Sequence, residues 1–96
     1  MLNSFTQSTY FRFKLLKKKK LLIIEKIKCI EVQNFEDATN FRDAERELDK
    51  VLKEEKTFES FLSYIKNCNY SNFNQIYGII KPLERKIKLE KLRSKI

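Results

Sequence analysis

From Asn34 to Leu48 the chain reads Asn-Phe-Glu-Asp-Ala-Thr-Asn-Phe-Arg-Asp-Ala-Glu-Arg-Glu-Leu, and an apolar row of Leu21, Ile24, Ile27 and Ile30 ends just before it. On a 3.6-residue helix Phe35, Ala38, Phe41, Leu48 and Leu52 share one broad stripe. Asp37, Asn40, Asp43, Arg46, Glu47 and Lys50 take the other side. Ala38 is small and stands between two large rings, which allows close approach of another helix. Asn34 stands where a side-chain oxygen can cap the first free backbone N–H groups, and Glu36 and Asp37 follow where the helix dipole favours acids. Two amphipathic helices with almost no linker predict an antiparallel helical hairpin, about residues 20–33 and 35–56.

The stretch from Ile30 to Leu48 resembles a UVR motif, the helical hairpin of UvrB- and UvrC-type repair proteins, McsA-type regulators and the middle region of ClpC-type chaperones. Phe35, Glu36, Ala38, Phe41, Arg42, Asp43 and Leu48 occupy the pattern's positions. The spacing around them is closer to the chaperone version. Thr39 departs from the pattern, which usually has a second Ala there. The resemblance covers roughly residues 22–52. It implies protein–protein contact without catalysis, the hairpin pairing with another such hairpin (a second copy included) or with a partner such as a Clp-type ATPase. Phe35, Ala38, Phe41 and Leu48 would form the contact or packing face, oriented by Arg42 and Asp43.

One Gly and one Pro in 96 residues leave little turn chemistry, and Lys, Glu, Leu and Ile dominate. Both facts point to an all-α fold, one small domain with a modest core. Two or three further short helices accompany the hairpin. With no His and two distant cysteines, Cys29 and Cys68, a four-ligand zinc site within one chain is excluded. Nothing points to secretion, so the thiols are expected to stay reduced in cytoplasm or an organelle stroma or matrix. No apolar run exceeds Leu21–Ile24, too short to span a membrane. Without His, a Gly-rich phosphate loop or a nucleophile arrangement, the chain is read as a non-enzyme that needs no cofactor.

The net charge of +8 is unevenly divided: +7 over residues 1–28, −5 over 29–60 and +6 over 61–96. Such basic–acidic–basic blocks suggest ends that seek an anionic surface, or subunits that associate by charge. Residues 1–19 read as a basic, aromatic tail. Three readings fit this end. Phe11, Phe13, Lys17, Lys18, Lys19 and Lys20 suit single-stranded nucleic acid or ribosomal RNA, lysines on phosphates and rings on bases. An acid-free, Ser- and Thr-containing end also suits organelle targeting. A solvated tail is the third. The alternation from Phe11 to Leu15 could also form a short strand.

Lys50 to Lys56 is expected to continue the second helix, with Asp49–Lys53 and Lys50–Glu54 pairs. Thr57 can cap a third helix whose apolar face is Phe58, Phe61, Leu62 and Ile65. Short helices over 57–81 would cover the hairpin, with a loop from Asn67 to Asn72. Pro82 is expected to open a basic, projecting last helix over 82–96, where its missing N–H costs nothing.

Overall fold

A computed structural model describes residues 9–94. It is all-α: α1 (Thr9–Glu31), α2 (Phe35–Leu52), α3 (Phe58–Asn67) and α4 (Phe73–Ser94). α1 lies along α2, and the bridges Lys19–Asp49 (2.8 Å) and Lys26–Glu45 (3.1 Å) show that the two run antiparallel. α4 packs on α1, and α3 packs on α2.

The helix ends follow from local chemistry. Asn34 Oδ1 accepts from the Asp37 N–H at 3.3 Å, and Thr57 Oγ1 from the Ser60 N–H at 3.1 Å. These caps stand where the sequence placed them. The C-terminal ends are less ordinary. After α1, Gln33 has φ 61°, with Asn34 N–H bonded to Cys29 O at 2.8 Å and Gln33 N–H to Ile30 O at 3.0 Å. After α2, Glu54 has φ 62°, with Glu55 N–H on Lys50 O at 2.8 Å and Glu54 N–H on Val51 O at 3.0 Å. Both are Schellman closures, in which the left-handed residue is normally Gly. The only Gly, Gly78, lies inside α4, so Gln33 and Glu54 adopt that conformation against the crowding of their own Cβ.

The core is built from Phe11, Leu15, Leu22, Phe41, Leu48, Phe58, Phe61, Ile65, Ile76 and Ile80. Phe11 meets Phe58 edge-on, centroids 5.7 Å apart at 85°, a favourable arrangement for two ring quadrupoles. Two buried carboxylates are held by ions and a hydroxyl. Glu47 accepts from Lys56 at 2.5 Å and pairs with Lys50 at 2.7 Å. Glu84 accepts from Lys66 at 2.8 Å and from the Tyr77 hydroxyl. A polar clasp ties the start of α2 to the loop before α4: Asn40 donates to Asn72 at 2.8 Å and Ser71 donates to Asp37 at 2.9 Å.

Several expectations are corrected. Residues 9–19 are not tail or strand but the first turns of α1, anchored by the fully buried Phe11 and Leu15. The row Leu21, Ile24, Ile27 and Ile30 does not form the buried face against α2: these side chains are 42–48% exposed, Leu22 is buried instead, and only Ile30 borders α2, at the tip. α1 is apolar on more than one side, so periodicity alone does not choose its inner face. α2 ends at Leu52 rather than near residue 56, because Glu54 turns left-handed. Lys53 therefore pairs with Asp49 as expected (2.9 Å), while Lys50 turns back to Glu47. Pro82 does not open a helix; α4 runs straight through it. Proline leaves the carbonyl four residues back without its helical donor. That residue is Gly78, which like Pro82 is exposed, so water can satisfy the carbonyl.

Replacing Gln33 by Gly should relieve its strain and raise stability by about 1 kcal/mol, a melting-temperature gain of about 4–8 °C in a chain of this size. Burial raises the Glu47 carboxyl, but hydrogen bonds from Lys50 and Lys56 outweigh it and hold it below the usual range. The Lys19 and Lys66 hydrogen bonds likewise lower Asp49 and Glu84. These groups bind fewer protons folded than unfolded, so their stabilisation is present above the unfolded pKa of about 4 and is lost as pH falls through the lowered folded values. Thermal unfolding followed by circular dichroism should show this acid-side decline, and it should be shallower for Glu84→Gln.

Candidate functional site

The outer side of α1 and the turn that follows it carry most of the exposed large apolar side chains among the described residues. Leu16, Ile24 and Ile27 recur at three- to four-residue multiples on the exposed side of α1, and Ile30 continues them toward the tip. Val32 in the turn and Phe35 at the start of α2 extend this surface around the tip of the helix pair. Lys20 interrupts this row between Leu16 and Ile24, and Lys28 is exposed beside it. Exposed apolar side chains are ordinary one at a time; a contiguous set along one helix marks a contact surface.

At the tip a shallow groove of about 170 Å³ is lined by Lys26, Ile30, Phe35, Ala38, Thr39 and Arg42. Its construction is local. Asn34 caps α2 so that Phe35 starts the helix facing outward, and the next turn brings Ala38 beneath it. Ala38 provides a low floor, Phe35 and Ile30 the apolar walls, and Arg42 and Lys26 the charged rim. Lys26 is held by Glu45 at 3.1 Å, and Arg42 lies 3.5 Å from Asp43. Thr39 Oγ1 donates to the Phe35 carbonyl at 2.9 Å, which satisfies the hydroxyl inside the helix.

The six residues named from the hairpin pattern therefore divide. Phe35, Ala38 and Arg42 come together in the groove. Phe41, at 1% exposure, and Leu48 point into the core, and Asp43 is half-buried beside Arg42. Phe35, expected on the packing stripe, is 61% exposed. The reason is its position at the first residue of α2, beyond the last core contact of α1. Ile30 and Lys26 were not foreseen as groove residues, because only the pairing of α1 with α2 brings them opposite Ala38 and Arg42.

The candidate nucleic-acid contacts also divide. Phe11 is buried against Phe58 and has no face left for a base. Four consecutive lysines on a helix spread over most of its circumference at 100° per residue. Lys17 and Lys20 are exposed, whereas Lys18 and Lys19 are half-buried and Lys19 is bound to Asp49. The run is not one patch. A different grouping appears at the start of α1. Lys14 Nζ lies 5.3 Å and Lys86 Nζ 4.1 Å from the Tyr10 ring, and Lys17 Nζ lies 4.8 Å from the Phe13 ring. Lys86 also donates to the Tyr10 hydroxyl, which holds that phenol below its usual range. Tyr10, Lys14 and Lys86 carried no recognisable sequence signal, since Lys86 lies 76 residues from Tyr10.

Both cysteines are free and half-buried, and burial pushes the Cys29 thiol up, away from the reactive thiolate. Among the described residues no group of three metal-ligating side chains occurs, and no helix is long and apolar enough to cross a membrane.

The two rings of α2 should respond oppositely to truncation. Phe41→Ala should cost about 3–5 kcal/mol in urea unfolding, as for a buried ring, whereas Phe35→Ala should stay within about 0.5 kcal/mol. No protein-family model matches this chain, and neither does any curated protein or solved structure.

Proposed function

We propose that this chain is a non-catalytic protein-interaction module, an adaptor whose contact surface is the outer face of α1 with the groove at the hairpin tip. The observation that carries this reading is the exposure of Leu16, Ile24, Ile27, Ile30, Val32 and Phe35 on a protein whose core is otherwise well closed. A surface helix has no reason to present such a stripe to water unless another surface covers it. The spacing suits a partner helix laid alongside α1, with its own apolar side chains between those of α1 and one of them seated over Ala38. Lys20 interrupts this surface and Lys28 and Arg42 border it, so the fitting partner carries acids opposite them.

The likeness of Phe35, Ala38, Phe41, Arg42, Asp43 and Leu48 to the UVR pattern supports the same class of function. It suggests another hairpin of this type, or a Clp-type ATPase, as the partner. A preformed helix pair of this kind serves as an adaptor by holding one helix rigid for docking, which lowers the ordering cost of association.

Affinity capture with the tagged full chain, split between RNase-treated and untreated halves, tests this reading. Lysine crosslinking on the captured complex reports where the partner sits. A protein partner that survives RNase, crosslinks to Lys20 or Lys28, and is lost with Ile27→Lys/Phe35→Ala at unchanged melting temperature is the expected result. Capture that is indifferent to this double variant, or that vanishes with RNase, would overturn it.

A further inference from the structure

The two basic blocks of the sequence lie at opposite ends of the chain, yet the fold brings members of both together. The start of α1 sits against α4, joined by the Lys86–Tyr10 contact. Beside it an open face of α4 carries Lys81, Arg85, Lys86 and Arg93, with Glu90 as its one acid. From this convergence we propose a binding surface for single-stranded nucleic acid, in which Tyr10 and Phe13 stack on bases while Lys14, Lys17, Arg85 and Lys86 neutralise phosphates.

Among the described residues ion pairing leaves these cations free, as it also leaves Lys18, Lys20, Arg46, Lys81 and Lys88; what distinguishes them is their position around Tyr10 and Phe13 and on the neighbouring face of α4. Lys19, Lys26, Lys50, Lys53, Lys56 and Lys66 each meet a carboxylate of the bundle. Among the described residues, Lys14, Lys17, Arg85 and Lys86 make no such pair. Their charge is therefore available to an external anion. Tyr10 and Phe13 are both about half exposed and stand one helical turn apart on this same end of α1. Bare cations would suit any polyanion; cations alternating with exposed rings match a chain in which phosphates alternate with bases. In the free protein the ring faces are covered by Lys14, Lys17 and Lys86. An exposed cation–π contact is weaker than base–aromatic stacking, so an incoming base displaces the ammonium, which then turns to the adjacent phosphate.

This surface adjoins the apolar face assigned to a protein partner, Phe13 and Leu16 standing one helical turn apart on α1, and it is tested by its own variants. The full chain is titrated into fluorescein-labelled oligouridine RNA, and in a parallel series into oligothymidine DNA, with anisotropy as the readout. Saturable binding is expected that weakens on the order of 50-fold between about 50 and 200 mM salt, as for four phosphates neutralised on a single strand. The double variant Lys14→Gln/Lys86→Gln should flatten the salt dependence and weaken binding by about tenfold or more at the lower salt. Phe13→Leu should weaken it by about tenfold with the salt slope unchanged, because stacking is lost and no charge is removed. Lys53→Gln, a cation bound to Asp49 on α2, should have no effect. Because Tyr10 also joins α1 to α4, Phe13→Leu is the ring variant of choice, with melting temperature as the check on folding. Absence of saturable binding, equal loss with Lys53→Gln, or unchanged affinity of Phe13→Leu would overturn the proposal. So would binding to vesicles of phosphatidylcholine and phosphatidylserine that oligouridine does not compete away.

Discussion

The rotation of α1 about its own axis decides what this molecule buries and what it displays. α1 carries apolar side chains on two sides, and only one can face α2. Burial of Phe11 against Phe58, with Leu15 and Leu22 in line, selects the inner side. Lys19 and Lys26, seven residues apart, reinforce the choice by reaching Asp49 and Glu45 along the edge of α2. Seven residues are close to two full turns, so both bridges form at a single rotation of the helix. With that rotation set, Leu16, Ile24 and Ile27 are directed outward together, and Ile30 continues them toward the tip. The apolar surface proposed for a partner is thus a consequence of how the core closes.

Charge is partitioned by the same packing. Part of the acidic middle of the chain is neutralised internally: α1 supplies Lys19 and Lys26 to α2, and the turn after α2 supplies Lys56 to Glu47; separately, Lys66 reaches Glu84 across from α3 to α4. Glu47 and Glu84 tolerate burial because each holds two donors, which offsets the cost of removing a carboxylate from water. What remains is positive, and part of it gathers where the start of α1 meets α4.

The molecule reaches this arrangement with almost no glycine. Two left-handed helix closures fall to Gln33 and Glu54, and the one proline lies inside a long helix where its defect faces solvent. The tight turn at Gln33 brings Phe35 directly after α1 and so forms the tip groove.

Much of the fold was legible along the chain. The helical class followed from composition, and the caps at Asn34 and Thr57 followed from side chains that can accept a backbone N–H. The face of α3 and the inward positions of Phe41 and Leu48 followed from 3.6-residue spacing on helices with a single apolar side. These are local properties, determined by neighbours within one or two turns. The inner face of α1, the unbroken α4 and the exposure of Phe35 were not legible, because each depends on a comparison between surfaces distant in sequence. Spacing shows that α1 has apolar residues to bury; it does not show which of two apolar sides meets α2. Nor can it bring Lys86 to Tyr10. Local sequence set the helical class, the caps at Asn34 and Thr57 and the excess of positive charge. The tertiary structure alone decided which apolar side faces water and which cations stay unpaired, since burial of one face and pairing of one charge are settled only by what packs against them.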